Sequence, residues 1–217
     1  MLVLGDAHAD SPQRRAALLA AYEAAGADVA LQLGDLLYYD LPVQTYFVAG
    51  NNEDFDVIEA LRHGRVRSSE VRNLSLLAST VTEIAGLRVA GLSGNYAPTQ
   101  FEKPRSALRG ERRRHFVRAD VERAKQLENV DVFLAHEAPH GTDVAEEYSV
   151  GCVYIDEILQ ALEPELCLVG HHHQHEESTF GPTRVVTVAP AWDSYYELDP
   201  DSLSLSRHET PSAEQHT

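Results

Sequence analysis

Five times in this chain a short apolar run ends on a residue whose side chain can ligate a metal. Leu2-Val3-Leu4 leads into Gly5-Asp6-Ala7-His8, and Leu33 into Gly34-Asp35. Val48-Ala49 leads into Gly50-Asn51, and Phe133-Leu134-Ala135 into His136. Leu166-Cys167-Leu168-Val169 delivers Gly170-His171-His172-His173. Such runs read as buried strands, and in parallel-rich sheets strand ends gather at one edge, where ligands bind. Alternation along an extended segment lets Asp6 and His8 reach one ion. Each fragment alone is ordinary turn chemistry. Together they bring carboxylate, imidazole and amide donors to one rim, the ligand set of hard-to-borderline divalent metals.

The segments between these motifs set the fold class. Strands are expected at 2–5, 28–33 and 45–49. Ser11 as cap and Pro12 at the first helical position start a helix that runs to about Ala25 and stops at Gly26. That β-α-β opening lays parallel strands side by side. A second helix is expected over 53–62, then strands at 73–77, 80–85 and 87–92 in a meander, and a long loop over 96–110. A charged helix over 111–128, a strand at 131–135 and a helix at 153–162 follow. Strands at 165–169, 177–180, 183–189 and 195–198 complete one α/β domain over residues 1–207, with 208–217 as a polar tail.

Composition narrows the setting. The apolar residues, 43% of the chain, come in short runs, none approaching the ~20 residues of a membrane span. The opening residues have no basic region with a long apolar core, so the expectation is a soluble cytoplasmic protein with no membrane partner. Cys152 and Cys167 have neither disulfide nor zinc-thiolate spacing and read as structural. Net charge is −16, from 34 acidic against 18 basic residues, and the only lysines are Lys103 and Lys125. Self-repulsion of that size predicts adaptation to a salt-rich cytoplasm and argues against indiscriminate nucleic-acid binding.

With the motifs in this order, the sequence resembles the calcineurin-like metallophosphoesterases, whose pattern is D-x-H, G-D, G-N-H-D/E, a lone H, and G-H-x-H. Here it reads Asp6-x-His8, Gly34-Asp35, Gly50-Asn51-Asn52-Glu53, His136 and Gly170-His171-x-His173. The resemblance implies a four-layer α/β/β/α sandwich of two mixed sheets flanked by helices. It also implies two divalent metals, manganese first, with iron, zinc, cobalt and nickel as alternatives. One would be held by Asp6, His8, Asp35 and His173, the other by Asp35, Asn51, His136 and His171, with Asp35 bridging. Hydrolysis of a phosphoester by attack of a metal-bridging hydroxide would follow. His172 and His175 fall outside the ligand pattern.

Asn52 departs from the pattern: the family carries there a histidine often assigned to the leaving group's proton. Asparagine donates a hydrogen bond but delivers no proton near neutral pH. Asn52 remains a candidate to touch a phosphoryl oxygen, with His140, four residues past His136, as a candidate proton donor. Residues 103–118 are basic, and Arg109, Arg112, Arg113 and Arg114 are candidates to grip a phosphate. The alternative is a solvated helix face paired with nearby acids. Residues 88–96, 114–116 and 133–139 further resemble the matching parts of RNA lariat debranching enzymes, although Asp6-x-His8 and Asn52 depart from that pattern. That favours a phosphodiester, in a small molecule or a nucleic acid, over a monoester. A metal-loaded scaffold with little catalysis is the third reading, because Asn52 replaces the histidine.

Overall fold

The computed structural model describes residues 1–66, 71–145 and 148–212. The chain opens with β1 (Leu2–Leu4), α1 (Pro12–Ala25), β2 (Val29–Gln32), β3 (Asp40–Phe47), α2 (Phe55–Arg62) and β4 (Arg72–Leu76). A hairpin of β5 (Thr80–Ile84) and β6 (Leu87–Leu92) follows, then α3 (Pro98–Phe101), α4 (Arg118–Ala124) and β7 (Val132–Ala135). Next come a small hairpin of β8 (Thr142–Ala145) and β9 (Tyr148–Val150), α5 (Val153–Leu162), and β10 (Leu166–Val169). The last strands are β11 (Glu176–Phe180), β12 (Thr183–Thr187), β13 (Ser194–Leu198) and β14 (Leu205–Glu209).

Two six-stranded sheets result, in the orders β14-β13-β1-β2-β3-β4 and β11-β12-β10-β7-β6-β5. The central strands of each run parallel, and antiparallel strands close one or both edges. Side-chain alternation explains the layering. Leu2 and Leu4 pack with Leu18 of α1, while Val3 turns the other way. On the second sheet Phe133, Cys167 and Val169 pack with Ile155 and Ile158 of α5, while Val132, Leu134, Leu166 and Leu168 join Val3 between the sheets. Both faces of each sheet are therefore buried, which is why the strands read as unbroken apolar runs. The four layers are helix, sheet, sheet and helix, as the resemblance implied.

Local chemistry sets the element ends. Ser11 Oγ accepts the Arg14 N–H (3.3 Å), Pro12 is in the first turn, and Gly26 closes α1 at φ 56° with its N–H on the Tyr22 carbonyl. Asp54 caps α2 by accepting the N–H groups of Asp56 and Val57 (2.9 and 3.3 Å).

Three expectations are corrected. The stretch 73–92 is no meander: β4 pairs parallel with β3 in the first sheet, whereas β5 belongs to the second. The buried link Leu77-Ala78-Ser79 carries the chain across, tied by Ser79 N–H to the Gly91 carbonyl (2.7 Å) and Ser93 Oγ to the Leu77 carbonyl (2.7 Å). The stretch 96–110 holds α3 and a 3-10 turn at 105–107. The helix expected over 111–128 is broken into a 3-10 turn at 110–114 and α4, because Phe116 and Val117 are buried between them and Asp120 Oδ2 accepts the Val117 N–H (3.0 Å). Strands β8, β9 and β14 are additional to those expected, and β14 runs two residues into the expected tail.

Candidate metal centre

The first sheet delivers Asp6 and His8 after β1, Asp35 after β2 and Asn51 after β3; the second delivers His136 after β7 and His171 and His173 after β10. Small residues let these loops close in. A Cβ on Gly50 would lie 2.1 Å from Asp35 Oδ1, and one on Gly34 would lie 2.4 Å from His136 Nδ1. Neither position admits a larger residue without moving a candidate ligand. His8, Asp35, His171 and His173 all hold left-handed backbone (φ 43°, 53°, 72° and 55°), uncommon for such residues and concentrated here.

All seven candidate ligands come together. His8 Nε2 lies 3.4 Å from Asp35 Oδ2, and His136 Nε2 lies 3.6 Å from Asp35 Oδ1. His136 Nε2 also meets Asn51 Oδ1 at 2.9 Å and His171 Nδ1 at 3.1 Å. His173 Nε2 is 3.8 Å from Asp6 Oδ1. The ligand atoms of Asp6, His8 and His173 fall within 4.8 Å of one another, as do those of Asp6, Asp35 and His136. In the second group Asp6 faces His136 through Nδ1, at 4.0 Å. That nitrogen already donates to the Leu33 carbonyl (2.8 Å), so its proton is fixed there and Nε2 is left bare. Asp35, not Asp6, is thus the carboxylate with one oxygen towards each half of the cluster.

These donors fit divalent cations on two counts. Bare His136 Nε2 faces the oxygens of Asn51 and Asp35 with no proton to share, an arrangement that a cation between them relieves. Asp6 Oδ2 accepts the His171 N–H (2.8 Å), but Asp6 Oδ1 is buried with no hydrogen-bond partner. Leaving such an oxygen unmet is costly, and a cation is the partner that suits it. Electrostatics agree. Burial, then the Asp35 charge, drives the Asp6 carboxyl well above the usual carboxylate range. Burial pushes His136 down to about 4, so the imidazole is neutral, the form that ligates.

Glu53 braces the floor. It accepts the N–H groups of Leu36 (3.1 Å), Leu37 (3.3 Å) and Gly50 (3.3 Å) and the Tyr39 hydroxyl (2.7 Å), and burial pushes it up to about 7. Asn52 turns inward: its backbone N–H donates to Asp35 Oδ1 (2.7 Å) and its Nδ2 to Asp35 Oδ2 (2.6 Å).

Among the described residues, no bond ties the side chains of the other candidates to the seven ligands. His140 is exposed and held by Asp156 of α5, which meets its Nδ1 at 2.7 Å and accepts its backbone N–H at 2.8 Å. Arg113 pairs with Asp56 (2.7 Å) and Arg114 with Glu111, while Arg109 donates to the carbonyls of Ser106 (2.5 Å) and Leu108 (2.8 Å). Arg112 is exposed. Pairing with nearby acids, the plainer alternative, describes Arg113 and Arg114.

Trp192 and Arg14 escaped the sequence reading. The Trp192 ring lies 5.8 Å from His8 and 5.3 Å from His173, with the Arg14 guanidinium 4.0 Å above it. The signal was a sixth strand, expected at 183–189, followed three residues later by an aromatic residue instead of a ligand.

A profile of the calcineurin-like phosphoesterase family matches residues 1–175. Lariat debranching enzymes are among the similar curated proteins. The one from Schizosaccharomyces pombe is 28% identical over 65% of this chain and 36% of its own length, and that from Entamoeba histolytica 26% identical over 72% and 51%. The chain thus spans about a third to a half of these relatives. The solved structure of TT1561 from Thermus thermophilus superposes with a TM-score of 0.68 at 20% identity, covering 97% of this chain and 98% of that one, a likeness of fold. With the profile running through all five motifs, from Asp6 to His173, the chain belongs to the calcineurin-like phosphoesterase family.

Proposed function

We propose that this chain is a dinuclear metal-dependent phosphodiesterase. Asp6, His8, Asp35 and His173 would hold one divalent cation, and Asp35, Asn51, His136 and His171 the other, with manganese the favoured metal. The observation that carries the reading is the placement of Asp35, whose two oxygens face His8 and His136 separately at 3.4 and 3.6 Å. When bound, such a pair supplies an activated water and neutralises charge on the phosphoryl oxygens. The chain's own groups do the rest. Leu33 keeps the His136 proton on Nδ1. Asn52 holds Asp35 in place and presents amide hydrogens beside it. Glu53 keeps the 35–37 and 50–53 loops in register. Trp192 offers an aromatic face at the rim, suited to stacking on a base or aryl group of the ester.

The debranching enzymes support a diester in a nucleic acid or a fragment of one. The Asn52 substitution favours a second reading, a metal-loaded scaffold with slow turnover. Metal analysis of the purified protein, followed by assay of an aryl phosphodiester and an aryl phosphomonoester with manganese, separates these. We expect about two metals per chain and faster diester turnover. Faster monoester turnover would overturn the diester assignment, and metal uptake without hydrolysis of either ester would support the scaffold.

A further inference from the structure

A cleft of about 830 Å³ opens where α2 meets the 105–114 segment and α4, and none of its lining residues belongs to the metal centre. Its volume falls within the ~300–1,000 Å³ of small-molecule sites. Arg62, Arg105, Arg109, Arg113 and Arg123 line it against only Asp56, Glu59 and Asp120, so two positive charges go unmatched in a chain of net charge −16.

The pairing inside is incomplete in a specific way. Arg105 takes Asp120 at 2.7 Å, and Arg113 takes Asp56 at 2.7 Å. Glu59 is left between two guanidiniums, 3.7 Å from Arg62 Nε and 3.7 Å from Arg105 Nη1, too far to bond either. Both of those nitrogens are buried with no hydrogen-bond acceptor among the described residues. The nearest carboxylate to Arg123 is Asp120 at 3.7 Å, already held by Arg105. Burial and the neighbouring Arg105 push Arg62 down to about 10, a cost that an anion would relieve.

We infer that this cleft is a second ligand site, which binds a phosphomonoester or inorganic phosphate through Arg62 and Arg105, with Arg109 and Arg123 at the rim. Guanidinium nitrogens left without an acceptor suit phosphate oxygens, and the excess of two charges matches a dianion. Leu61, Leu108 and Val117 give the cleft an apolar wall against which a sugar or base can lie.

The test uses metal-depleted full-length protein in excess chelator, so its outcome does not depend on phosphoesterase activity. Calorimetric titrations with orthophosphate and with adenosine 5′-monophosphate are run at the lowest potassium chloride that keeps the protein folded by circular dichroism. One-to-one binding is expected, tightening as pH rises through about 6, where a phosphomonoester gains its second charge. Arg109 and Arg123 are exposed, so the double variant Arg109→Ala/Arg123→Ala should fold, and it should bind at least tenfold more weakly. His173→Ala should bind as the parent does. Comparable affinity for both probes assigns the site to phosphate itself, and preference for the nucleotide assigns it to a nucleoside phosphate. Absence of saturable binding by either probe, unchanged affinity in the double variant, or loss of binding in His173→Ala would each overturn the inference.

Discussion

At the scale of single residues, Asn52 is the side chain on which the chemistry turns. Its backbone N–H and one of its two amide hydrogens are spent on the two oxygens of Asp35. It therefore steadies the central carboxylate, and an amide delivers no proton to a departing alkoxide near neutral pH. Replacing it with an imidazole tests that view: Asn52→His should raise kcat on an alkyl phosphoester by ~10²-fold, the lower end of general acid catalysis, with metal content unchanged. An unchanged kcat at unchanged metal content would show that position 52 does not face the leaving group. The metal candidates were legible as residues because aspartate, asparagine and histidine after a strand and a glycine carry their chemistry in their type. Trp192 and Arg14 were not, since their importance comes from what stands beside them, and a tertiary neighbour leaves no local trace.

Among elements, α1 and α5 were read almost to the residue. The α1 span follows from Ser11, Pro12 and Gly26, and α5 occupies 153–162 as expected. The failures lie where tertiary pairing overrides local pattern. Nothing within 73–92 records that β4 and β5 part company between two sheets, and nothing within 111–117 records that His115 bridges to Asn95 and delays α4. Asp120 is the hinge of that last arrangement, accepting the Val117 N–H and holding Arg105. Burial is the largest single influence and would raise its pKa, yet Arg105, the Val117 N–H and Arg62 together outweigh it and hold the carboxyl below the usual range. A depressed carboxylate stabilises the fold above the unfolded-state value of ~3.9, and that stabilisation is lost as pH falls through the folded value. Asp120→Asn should therefore cost about 3 kcal/mol near neutral pH, measured by denaturant unfolding, and the gap to the parent should narrow below pH ~4. A gap that stays constant down to pH 2 would contradict the ionic account.

Across the whole molecule, charge dominates the expected response to solution conditions. No helix among the described residues is long and apolar enough to cross a membrane. The surface of a chain with 34 acidic and 18 basic residues repels itself in dilute buffer, and at molar salt the screening length shrinks to ~3 Å. The melting temperature should rise clearly between dilute buffer and molar potassium chloride, and a flat response would remove the case for adaptation to a salt-rich cytoplasm.

Asp6, His8, Asp35 and Asn51 ride on one sheet, whereas His136, His171 and His173 ride on its partner. Along most of their shared face the two sheets adhere through aliphatic side chains, and at this rim a cluster of candidate ligands spans the seam. Bound cations would thus act as fasteners between the halves of the molecule, so that stripping them with a chelator slackens the sandwich from one end as well as silencing it.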